Sequence, residues 1–549
     1  MPDRIEKLAT EVFGFSALRP GQREAIRSIT SGRDTLVVMP TGSGKSAVYQ
    51  IAALLMGGPA VVVSPLLALQ REQAEALQER DAGGAARANS QLSDAAQERA
   101  LGGFEDEDLQ FLFLAPEQLT DDETLTRLRA AKPALLVVDE AHCISEWGHD
   151  FRPDYRRLGA VAEAIGRPAL LALTATASPW VRQDIAEHLR MRDPVVISAG
   201  FDRPNIRLCV ERVAHESAQR KKLLERVVEV PKPGIVYVAT RRAAEETAQE
   251  ISERYVRARP YHGGLNRTDR NVIHEDFTSD RIEVVVATTA FGMGVDKPNV
   301  RFVYHLHVSP SVDSYYQEIG RAGRDGAPAE ALLFYRQEDL GIRRFFAASG
   351  RIDRDEVEAV MTEAARSGPE PVPPSELKER TGLSQTKLAA AIGALEMVGA
   401  LEVLPAGQVK AKDVPAGASE IASAAAATAE SHEKLERSRV EMMRGYAETS
   451  DCRRTYLLEY FGEQLQAPCD NCDNCLQGKT KQTEMHEGAA AFAPGAPVEH
   501  RRWGRGRVVG ANDDEVVVVF EKEGYKTLSL EIVTEKGLLT ELTRSPAQE

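Results

Sequence analysis

Short runs of β-branched and apolar residues, each followed by a segment of helical length, recur through the first 345 residues. Strands that are apolar along their whole length are typical of parallel sheets covered by helices on both faces. The first series comprises residues 35–39, 60–63, 110–114, 134–138 and 170–173, and the second comprises residues 234–238, 282–286, 302–306 and 331–334. Two such series predict an α/β fold with two doubly wound lobes, 1–203 and 204–345, joined near residues 201–204.

The sequence between residues 346 and 445 has a different pattern and predicts a winged-helix-like segment followed by a connector. We expect Ser375 to cap one helix and Ser384 to cap a second helix over residues 385–398. An apolar segment at 401–404 completes the order helix, turn, helix, short strand. A small helical spacer fits the same pattern.

The rest of the chain divides by composition. The alanine-rich residues 421–429 predict either a helix or a flexible connector. A cysteine-rich module over 446–480 precedes a linker rich in Gly, Ala and Pro over 481–498. Short β-branched runs separated by Asn, Asp and Gly turns predict a small β-barrel over 499–549.

A loop of small residues follows the first buried strand, at residues 40–46 (Pro-Thr-Gly-Ser-Gly-Lys-Ser). Small residues let backbone N–H groups surround nucleotide phosphates at the amino terminus of a helix. Lys45 would contact the β- and γ-phosphates, and Ser46 would ligate Mg²⁺. The predicted ATP-binding residues of this loop are Thr41, Gly42, Ser43, Gly44, Lys45 and Ser46.

A second motif, Asp139-Glu-Ala-His142, ends the strand at 134–138. Ligands of parallel α/β sheets bind at the carboxyl ends of the strands. We therefore expect Asp139 to hold Mg²⁺ through water, and Glu140 to orient and deprotonate the attacking water. His142 is expected to couple hydrolysis to motion. The alternative is a pair of acidic residues that only cap a helix.

Phosphoryl transfer also needs positive charge at the γ-phosphate. Arg321 and Arg324 lie three residues apart in the segment 317–326, so on a helix both side chains would face the same way. We expect them to approach the phosphate only when the two lobes close, which would make ATP binding and lobe closure one event. A solvated basic helix face is the alternative.

Four of the six cysteines are clustered, namely Cys452, Cys469, Cys472 and Cys475. Four thiolates can close a tetrahedral structural zinc site, and two of the intervals are of the tight Cys-x-x-Cys type. A redox-active disulfide set is the alternative, whereas a secreted disulfide scaffold is excluded by the small number of cysteines in so long a chain. We expect the other two, Cys143 and Cys209, to be buried thiols.

The bulk composition excludes some classes of protein. A net charge of −15 argues against a protein that coats nucleic acid by overall electrostatic attraction, although a local basic channel remains compatible. No apolar run approaches the roughly 20 residues of a membrane-spanning helix. The amino terminus lacks the apolar core of a signal peptide, so a cytoplasmic location is expected.

These motifs, in this order, resemble those of the RecQ family of ATP-dependent DNA helicases. Further matching segments are residues 13–22, 64–66, 174–177, 261–264 and 284–301. The resemblance implies RecA-like lobes and a helicase of repair and recombination that moves 3′→5′ on DNA at the nucleoid. It also implies that Phe15 and Arg19 pack on adenine and that Gln22 hydrogen-bonds its edge. Met39 stands where the general phosphate loop has glycine, as in helicases of superfamily two.

Residues 143–155 resemble the aromatic-rich loop that distinguishes this family from other helicases with the Asp-Glu-Ala-His motif. Trp147 and Phe151 offer flat faces on which DNA bases can stack, a contact worth about 1–3 kcal/mol per base. Arg152 would connect the loop to the ATP cleft. We expect this loop to sense single-stranded DNA and switch on hydrolysis. The alternative is that Trp147 is an aromatic residue packed in the core.

The chain departs from the family pattern in its accessory regions. Many RecQ proteins have a winged helix after the zinc module, whereas here the winged-helix-like segment precedes it. The final barrel resembles the Tudor-like tail of UvrD-type helicases. Its basic lead-in, residues 500–507, would contact phosphates, and the alternatives are a protein partner such as RNA polymerase or a solubilising end-cap. An RNA helicase, and an ATP-driven DNA translocase or clamp without strand separation, are the rival functions.

Overall fold

The computed structural model describes residues 3–542, apart from 81, 90–91, 146–150, 293–296, 349–350, 369, 405–407, 413–416, 466–467, 481–491, 494 and 512–514. The chain forms two compact units. One contains Met1–Gly200 and Ser349–Glu433, and the other contains Phe201–Ala348 and Lys434–Glu549. No helix within the described ranges is long and apolar enough to cross a membrane.

The first unit contains a parallel sheet of seven strands. They are β1 (Thr35–Val38), β2 (Ala60–Val63), β3 (Ala85–Ala88), β4 (Phe111–Leu114), β5 (Leu135–Val138), β6 (Ala169–Thr174) and β7 (Val195–Ser198), in the order β3-β4-β2-β5-β6-β1-β7. Residues of β1, β2, β4 and β5 are buried throughout, because both faces of the sheet are covered.

Helices connect these strands in the manner of βαβ units. The α-helices are α1 (Arg4–Glu11), α2 (Gln22–Thr30), α3 (Lys45–Met56), α4 (Leu67–Glu79), α5 (Asp94–Glu105), α6 (Asp122–Ala130), α7 (Leu158–Ala164) and α8 (Pro179–His188), and 3₁₀ helices cover Pro116–Thr120, Ala141–Ile144 and Pro153–Arg157. The apolar runs of the sequence therefore predicted β1, β2, β4, β5 and β6 correctly, whereas β3 and β7 were not predicted.

The second unit contains a parallel sheet of six strands. They are β8 (Ile206–Arg212), β9 (Gly234–Tyr237), β10 (Ala258–Tyr261), β11 (Val284–Ala287), β12 (Phe302–His305) and β13 (Ala329–Tyr335), in the order β10-β11-β9-β12-β13-β8. The accompanying helices are α9 (Glu216–Glu229), α10 (Arg241–Ser252), α11 (Arg267–Thr278), α12 (Val312–Ile319) and α13 (Asp339–Ala348). Two parallel-sheet lobes confirm the predicted α/β fold class.

The winged-helix-like segment belongs to the first unit. It comprises α14 (Arg354–Arg366), α15 (Pro374–Thr381), α16 (Gln385–Met397) and the antiparallel pair β14 (Leu401–Val403) and β15 (Val409–Ala411). Ser384 caps α16 as expected, accepting from the Lys387 N–H at 3.3 Å. The expected cap at Ser375 is wrong. The helix already begins at Pro374, because proline has its φ preset for the first helical position, and Pro373 is the N-cap.

A 31-residue helix, α17 (Ala418–Glu448), follows this segment. The alanine-rich residues 421–429 lie inside it, so they are helical and not a flexible connector. Ile421, Ala422 and Ala425 are buried in the same apolar cluster as Leu388 of α16. The amino-terminal part of α17 thus completes the core of the winged-helix-like segment.

The cysteine module, residues 446–480, packs on the free edge of the second sheet. It contains α18 (Arg453–Tyr460) and α19 (Asp473–Leu476). The Leu208 N–H of β8 donates to the Asn471 carbonyl at 3.3 Å, and the Val210 N–H donates to Asp473 Oδ2 at 3.0 Å. The module therefore extends the hydrogen bonding of the sheet beyond β8.

The chain ends in an antiparallel sheet with one helix. Its elements are β16 (Pro497–His500), β17 (Gly504–Ala511), β18 (Glu515–Phe520), β19 (Gly524–Ser529), α20 (Leu530–Glu535) and β20 (Leu539–Glu541), with strand order β19-β18-β17-β16-β20. The first strand starts at Pro497, two residues before the start expected for the barrel. Most of the predicted linker lies outside the described residues.

This terminal domain is packed against other parts of the second unit. The Tyr525 N–H donates to Ser438 Oγ of α17 at 2.9 Å, and the Tyr525 hydroxyl lies 3.0 Å from the hydroxyl of Tyr460 in α18. Tyr460 in turn donates to the carboxylate of Asp313 in the second lobe. Lys434 and Glu523 add an ion pair of 3.1 Å.

Candidate active site and metal centre

The phosphate loop lies between β1 and α3, as the sequence predicted. Gly42 and Gly44 have φ values of 80° and 76°, and Gly44 is the N-cap of the helix that begins at Lys45. A Cβ at Gly44 would lie 2.8 Å from Gln22 Nε2, so a larger residue does not fit there. The Lys45 ammonium donates to the Met39 carbonyl at 3.2 Å, which draws the side chain back over the loop.

The segment that resembles the family's nucleobase motif lies against this loop. Gln22 Nε2 donates to the carbonyls of Ser43 at 2.9 Å and Gly44 at 2.8 Å, while Gln22 Oε1 accepts from the Arg19 N–H at 2.8 Å. The Arg19 guanidinium donates to the Gly42 carbonyl. Gln22 and Arg19 are therefore brought to the phosphate loop, a contact that the sequence reasoning did not include.

Two further predicted site residues, Phe15 and Ser46, have partners that the sequence did not indicate. The Phe15 ring stacks on Phe13 with centroids 5.8 Å apart and an interplanar angle of 13°. Ser46 Oγ accepts from Gln73 Nε2 at 3.1 Å, and the same Gln73 side chain accepts from the buried Tyr49 hydroxyl. The Gln73–Tyr49 support of Ser46 was not predicted, because nothing in the sequence marks a helical glutamine as a partner of the loop.

The Asp139 carboxyl, at the end of β5, is buried with 9% of its surface exposed. Burial raises its pKa from 3.8 to about 7, and the charge of Glu140 adds to the rise, whereas the charge of Lys45 opposes it. A buried carboxyl that resists ionisation, beside a lysine and a phosphate loop, suits a site where a divalent cation supplies the missing positive charge. Asp139 and Ser46 thus fit the predicted Mg²⁺ ligands.

His142 is fully buried and connects two predicted motifs. Its Nδ1 lies 3.4 Å from Glu140 Oε2 and 3.0 Å from Thr174 Oγ1. Thr174 donates onward to the Thr176 carbonyl at 3.0 Å. The histidine therefore joins the carboxylate expected to activate water to the segment 174–177, which is the arrangement that a coupling role requires.

The aromatic loop is described only in part, since Trp147 lies outside the described residues. Phe151 has the Arg156 guanidinium over its ring, 6.0 Å from the centroid. The Arg152 N–H donates to the Cys143 carbonyl at 2.8 Å. The Tyr155 hydroxyl donates to the Asp139 carbonyl at 3.0 Å, which ties the end of the loop to the residue expected to hold Mg²⁺.

Arg321 and Arg324 lie in the second unit, but not on a helix as predicted. The helix α12 ends at Ile319, and both arginines lie in the turns that follow. Gly323, between the two arginines, takes a φ of 56°, which favours glycine and is incompatible with a continuous right-handed helix, and a Cβ there would meet Asn205 Nδ2 at 2.4 Å. Helical spacing therefore does not determine the directions of these two side chains.

Arg203 holds the turn that carries Arg321. Its guanidinium donates to the carbonyls of Gly320 at 3.1 Å, Ala322 at 2.9 Å and Gly323 at 3.0 Å. Arg321 itself is 5% exposed and lies beside Tyr237, whose pKa burial raises to about 12 against the opposing charge of Arg321. The sequence reasoning missed Arg203, since it lies more than 100 residues from the turn that it supports.

The four predicted zinc ligands converge. The sulfur atoms of Cys452, Cys469, Cys472 and Cys475 all lie within 4.8 Å of one another. Cys469 Sγ and Cys475 Sγ are 3.9 Å apart, close to the roughly 3.8 Å expected between thiolates bound at 2.3 Å to one tetrahedral zinc ion. All six cysteines are free of disulfides.

Charged residues hold the metal ligands in place. The buried Arg453 guanidinium makes two hydrogen bonds with the Asp473 carboxylate, at 2.5 and 3.0 Å, and donates to the Tyr446 carbonyl at 2.7 Å. Asn474 Nδ2 donates to the carbonyls of Thr449 and Asp451 at 3.0 and 2.8 Å. The residues next to the cysteines therefore fix the two halves of the cluster against each other.

Family models match three parts of the chain. The DEAD/DEAH box helicase model matches residues 19–185, the helicase conserved C-terminal domain model matches residues 219–326, and the RecQ zinc-binding model matches residues 412–476. These three regions contain, in turn, the phosphate loop, the turn with Arg321 and the four cysteines.

Curated relatives of the chain are RecQ-type helicases. The probable ATP-dependent DNA helicase RecS of Bacillus subtilis is 40% identical over 359 residues, which is 65% of this chain and 72% of the relative. The ATP-dependent DNA helicase RecQ of Haemophilus influenzae is 33% identical over 473 residues, 86% of this chain and 63% of the relative. RecQ of Synechocystis sp. is 34% identical over 505 residues, 87% of this chain and 100% of the relative.

Solved structures resemble the chain in fold. The DUF1998 helicase MrfA bound to DNA has a TM-score of 0.53 at 18% identity, covering 76% of this chain and 64% of that one. The DEAD-box helicase Mss116 bound to ssRNA has a TM-score of 0.52 at 16% identity, covering 72% and 88%. At these identities the likeness extends to the two-lobed fold alone.

Proposed function

The chain belongs to the RecQ family of ATP-dependent DNA helicases, and on this premise we propose that it couples ATP hydrolysis to 3′→5′ movement along one DNA strand and to unwinding of the duplex. The observation that carries the proposal is the placement of the phosphate loop after β1 and of the buried Asp139 after β5, at the carboxyl edge of the first sheet. A phosphate loop and an acidic metal ligand at the same edge are what phosphoryl transfer to water requires.

Each residue of the site then has a role in hydrolysis. Lys45 would bind the β- and γ-phosphates, and Ser46 and Asp139 would hold Mg²⁺, which neutralises phosphate charge when bound. Glu140 would accept a proton as water attacks the γ-phosphorus and the bond to the ADP oxygen breaks. His142 would transmit this change to residues 174–177 through Thr174.

The remaining site residues are proposed on the family resemblance. Arg321 and Arg324 would supply the positive charge that stabilises the transferring phosphoryl group. Phe15, Arg19 and Gln22 would bind adenine. For Gln22 and Arg19 this role is supported by their hydrogen bonds to the phosphate loop. These bonds would couple adenine binding to the conformation of the loop.

We propose that the aromatic loop couples DNA binding to hydrolysis. Trp147 and Phe151 would stack on bases, and Arg152 would connect the loop to the ATP site. The hydrogen bond from Tyr155 to the Asp139 carbonyl supports this role, because it links the residues after the loop to the hydrolytic centre. Replacing Trp147 with alanine should leave basal ATPase intact and reduce its stimulation by DNA.

The zinc ion is proposed to be structural. Four cysteine ligands leave no open coordination position, and the cluster lies at the edge of the second sheet, far in sequence from the phosphate loop. Association with the nucleoid and work in repair and recombination are proposed on the DNA substrate of the family. RNA polymerase stays a candidate partner of the terminal domain.

A translocase or clamp that does not separate strands is the second candidate. The observation in its favour is the order of the accessory domains. The cysteine module is followed by a β-sheet domain, and the winged-helix-like segment precedes it in the first unit. A strand-separating wing after the zinc module, as in many RecQ proteins, therefore has no counterpart among the described residues.

The deciding experiment is strand displacement on forked, 3′-tailed and 5′-tailed duplexes with ATP. Lys45→Ala serves as the inactive variant, and Lys7→Ala, which changes an exposed lysine, serves as the control. Unwinding of the 3′-tailed duplex by the wild type and by Lys7→Ala alone would support the helicase and its polarity. DNA-stimulated ATPase without displacement of any substrate would favour the translocase or clamp.

A further inference from the structure

Three exposed arginines lie in the turn between β16 and β17 and at the start of β17, and we call residues 501–505 the basic turn. Arg501, Arg502 and Arg505 are all exposed. None of their guanidinium groups has an ion pair or hydrogen bond with a residue that the structure describes. Elsewhere in the chain, exposed arginines such as Arg192 and Arg242 pair with neighbouring carboxylates. An acidic protein that leaves three adjacent arginines unpaired has a concentrated positive charge at this point.

The surroundings of the basic turn are also positive. The segments 499–507 and 521–526 contain six basic residues and three acidic ones, a local excess of three positive charges (6 − 3). One of the acidic residues, Glu523, is already neutralised by Lys434 at 3.1 Å and Lys526 at 3.6 Å. Because Glu523 already has cationic partners, it does not reduce the positive charge that the three arginines present to an anionic ligand.

Trp503, in the middle of the turn, is part of the packing of the domain. His500 stacks on its ring with centroids 4.2 Å apart at 17°, Phe520 lies 5.4 Å away, and the Lys526 ammonium lies 5.8 Å over the ring. With its neighbours already in place, the indole stiffens the turn and is not free to stack on a base. A ligand of this surface is thus recognised by charge, independently of base sequence.

The position of the basic turn is fixed on the second unit. Tyr525 and Ser438 join the terminal sheet to α17, and Tyr525 and Tyr460 join it to the cysteine module. Glu523, next to the turn, is bound to Lys434 of the same helix. The arginines are therefore carried at a set place on the motor domain, and not on a mobile tail.

We propose that the basic turn is an accessory binding site for the phosphate backbone of DNA, and in particular of the duplex, where phosphates are most dense. The inference rests on the proposed function, since it assigns the terminal domain to the same DNA. The site would hold the duplex while the two lobes move along one strand. Three arginines within five residues can each contact one phosphate.

The test is the salt dependence of DNA binding. A variant with Arg501→Gln, Arg502→Gln and Arg505→Gln is compared with the wild type by fluorescence anisotropy on a blunt duplex and on a single strand. The control, Lys221→Gln with Arg254→Gln and Arg281→Gln, removes three charges from exposed positions elsewhere on the second unit. Basal ATPase and thermal unfolding check that both variants are folded.

We expect the turn variant to bind duplex DNA roughly tenfold more weakly at low salt, and the slope of log K against log salt to fall by up to about 2.7, or 0.9 per lost phosphate contact. The control should change neither quantity. A loss confined to the single strand would support the phosphate site and assign it to that strand. Unchanged affinity and slope on both DNAs would overturn the inference. A wild type that does not bind DNA would instead overturn the proposed function.

Discussion

Arg157 at the end of the 3₁₀ helix Pro153–Arg157 and Glu402 on β14 form an ion pair of 2.9 Å. Arg157 also forms an ion pair with Glu396 of α16 at 3.3 Å. One side chain thus attaches both α16 and the strand pair of the winged-helix-like segment to the first lobe. Two residues before Arg157, the Tyr155 hydroxyl donates a hydrogen bond to the main-chain carbonyl of Asp139. The segment is thus attached directly beside the aromatic loop and the ATP site.

Arg157→Ala should loosen this attachment. Glu396 is only 8% exposed, so losing Arg157 leaves a buried carboxylate whose remaining donor among the described residues is the Val403 N–H at 3.4 Å, at a cost of about 1–3 kcal/mol. Faster hydrogen exchange in α16 and β14 is the expected result. Arg192→Ala, which removes an arginine that is 69% exposed, should leave exchange there unchanged. Equal protection in the two variants would mean that the ion pairs do not hold the segment.

Gln22→Ala should weaken ATP binding. The change removes two hydrogen bonds to the phosphate loop, worth about 1–3 kcal/mol together, so the Kd for ATP should rise by a factor of about 5 to 160. Titration with a fluorescent ATP analogue measures the effect. Gln183→Ala is the matched control, because this exposed glutamine contacts only Glu187 four residues away. If both variants bind ATP equally well, Gln22 does not shape the loop.

Asp139 should make Mg²⁺ binding and stability depend on pH near neutrality. Its folded pKa, about 7, lies above the ordinary 3.8 because of burial and Glu140. The folded state favours the protonated carboxyl of Asp139. The contribution of this group to the free energy of unfolding is therefore fully present below about pH 4, the ordinary pKa, and is lost as the pH rises through about 7, the folded pKa. Mg²⁺ needs the ionised form and should therefore bind ATP-loaded protein more tightly at pH 8 than at pH 6.

Urea unfolding without metal and Mg²⁺ titration of ATPase, both at pH 6 and pH 8, measure these two effects. Asp139→Asn has no carboxyl to titrate and should lose this part of the pH dependence of stability. A wild type with the same Mg²⁺ affinity at both pH values would contradict the assignment of Asp139 as the titrating ligand.

Cys472→Ser should release zinc and weaken DNA binding. Cys472 is completely buried, and its backbone forms a β-bridge with Leu208 of β8. Loss of one of the four thiolates would therefore disturb the edge of the second sheet as well as the cysteine module. Zinc content, urea unfolding and DNA affinity measure the change. Cys209→Ser alters a cysteine on the same strand but outside the cluster, and should keep its zinc. Full stability without metal would refute the structural role.

Gly524→Ala should displace the terminal domain from α17. A Cβ at this position would lie 2.3 Å from Ser438 Oγ, and the residue has a φ of +69°. Gly504→Ala is the matched control, since its φ is +74° but a Cβ there meets nothing within 4 Å. Both variants carry the backbone cost of about 1 kcal/mol, and only Gly524→Ala adds the steric cost of about 1–3 kcal/mol. The Tm from thermal unfolding should fall further for Gly524→Ala than for Gly504→Ala. An equal fall in Tm for the two variants would mean that Ser438 moves aside freely.

Local patterns in the sequence were sufficient for the lobes and for the residues around the phosphates. The apolar runs predicted parallel strands because only strands buried on both faces need no polar residues, as β1 and β5 show. Ser384 capped its helix because capping depends on neighbours three residues away. The four cysteines were found because their spacing alone limits the chemistry to metal or disulfide.

Contacts between distant residues could not be predicted in this way. Arg203 supports the turn at Gly320 and Tyr525 docks on Ser438, yet nothing near either residue distinguishes it from other arginines and tyrosines. The helical placement of Arg321 failed for a related reason. Between the two arginines, Gly323 takes a φ of 56°, and a Cβ there would lie 2.4 Å from Nδ2 of Asn205, more than 100 residues earlier in the chain.

The contact between β8 and the cysteine module has a consequence for how the protein behaves without zinc. An uncovered edge strand offers a row of unpaired donors and acceptors to any other chain, and is a starting point for aggregation. On β8 the N–H groups of Leu208 and Val210 are taken by Asn471 and Asp473. We therefore expect that a protein whose cysteine module has lost its order, as it would without a bound metal, exposes this edge and self-associates more readily than the intact protein.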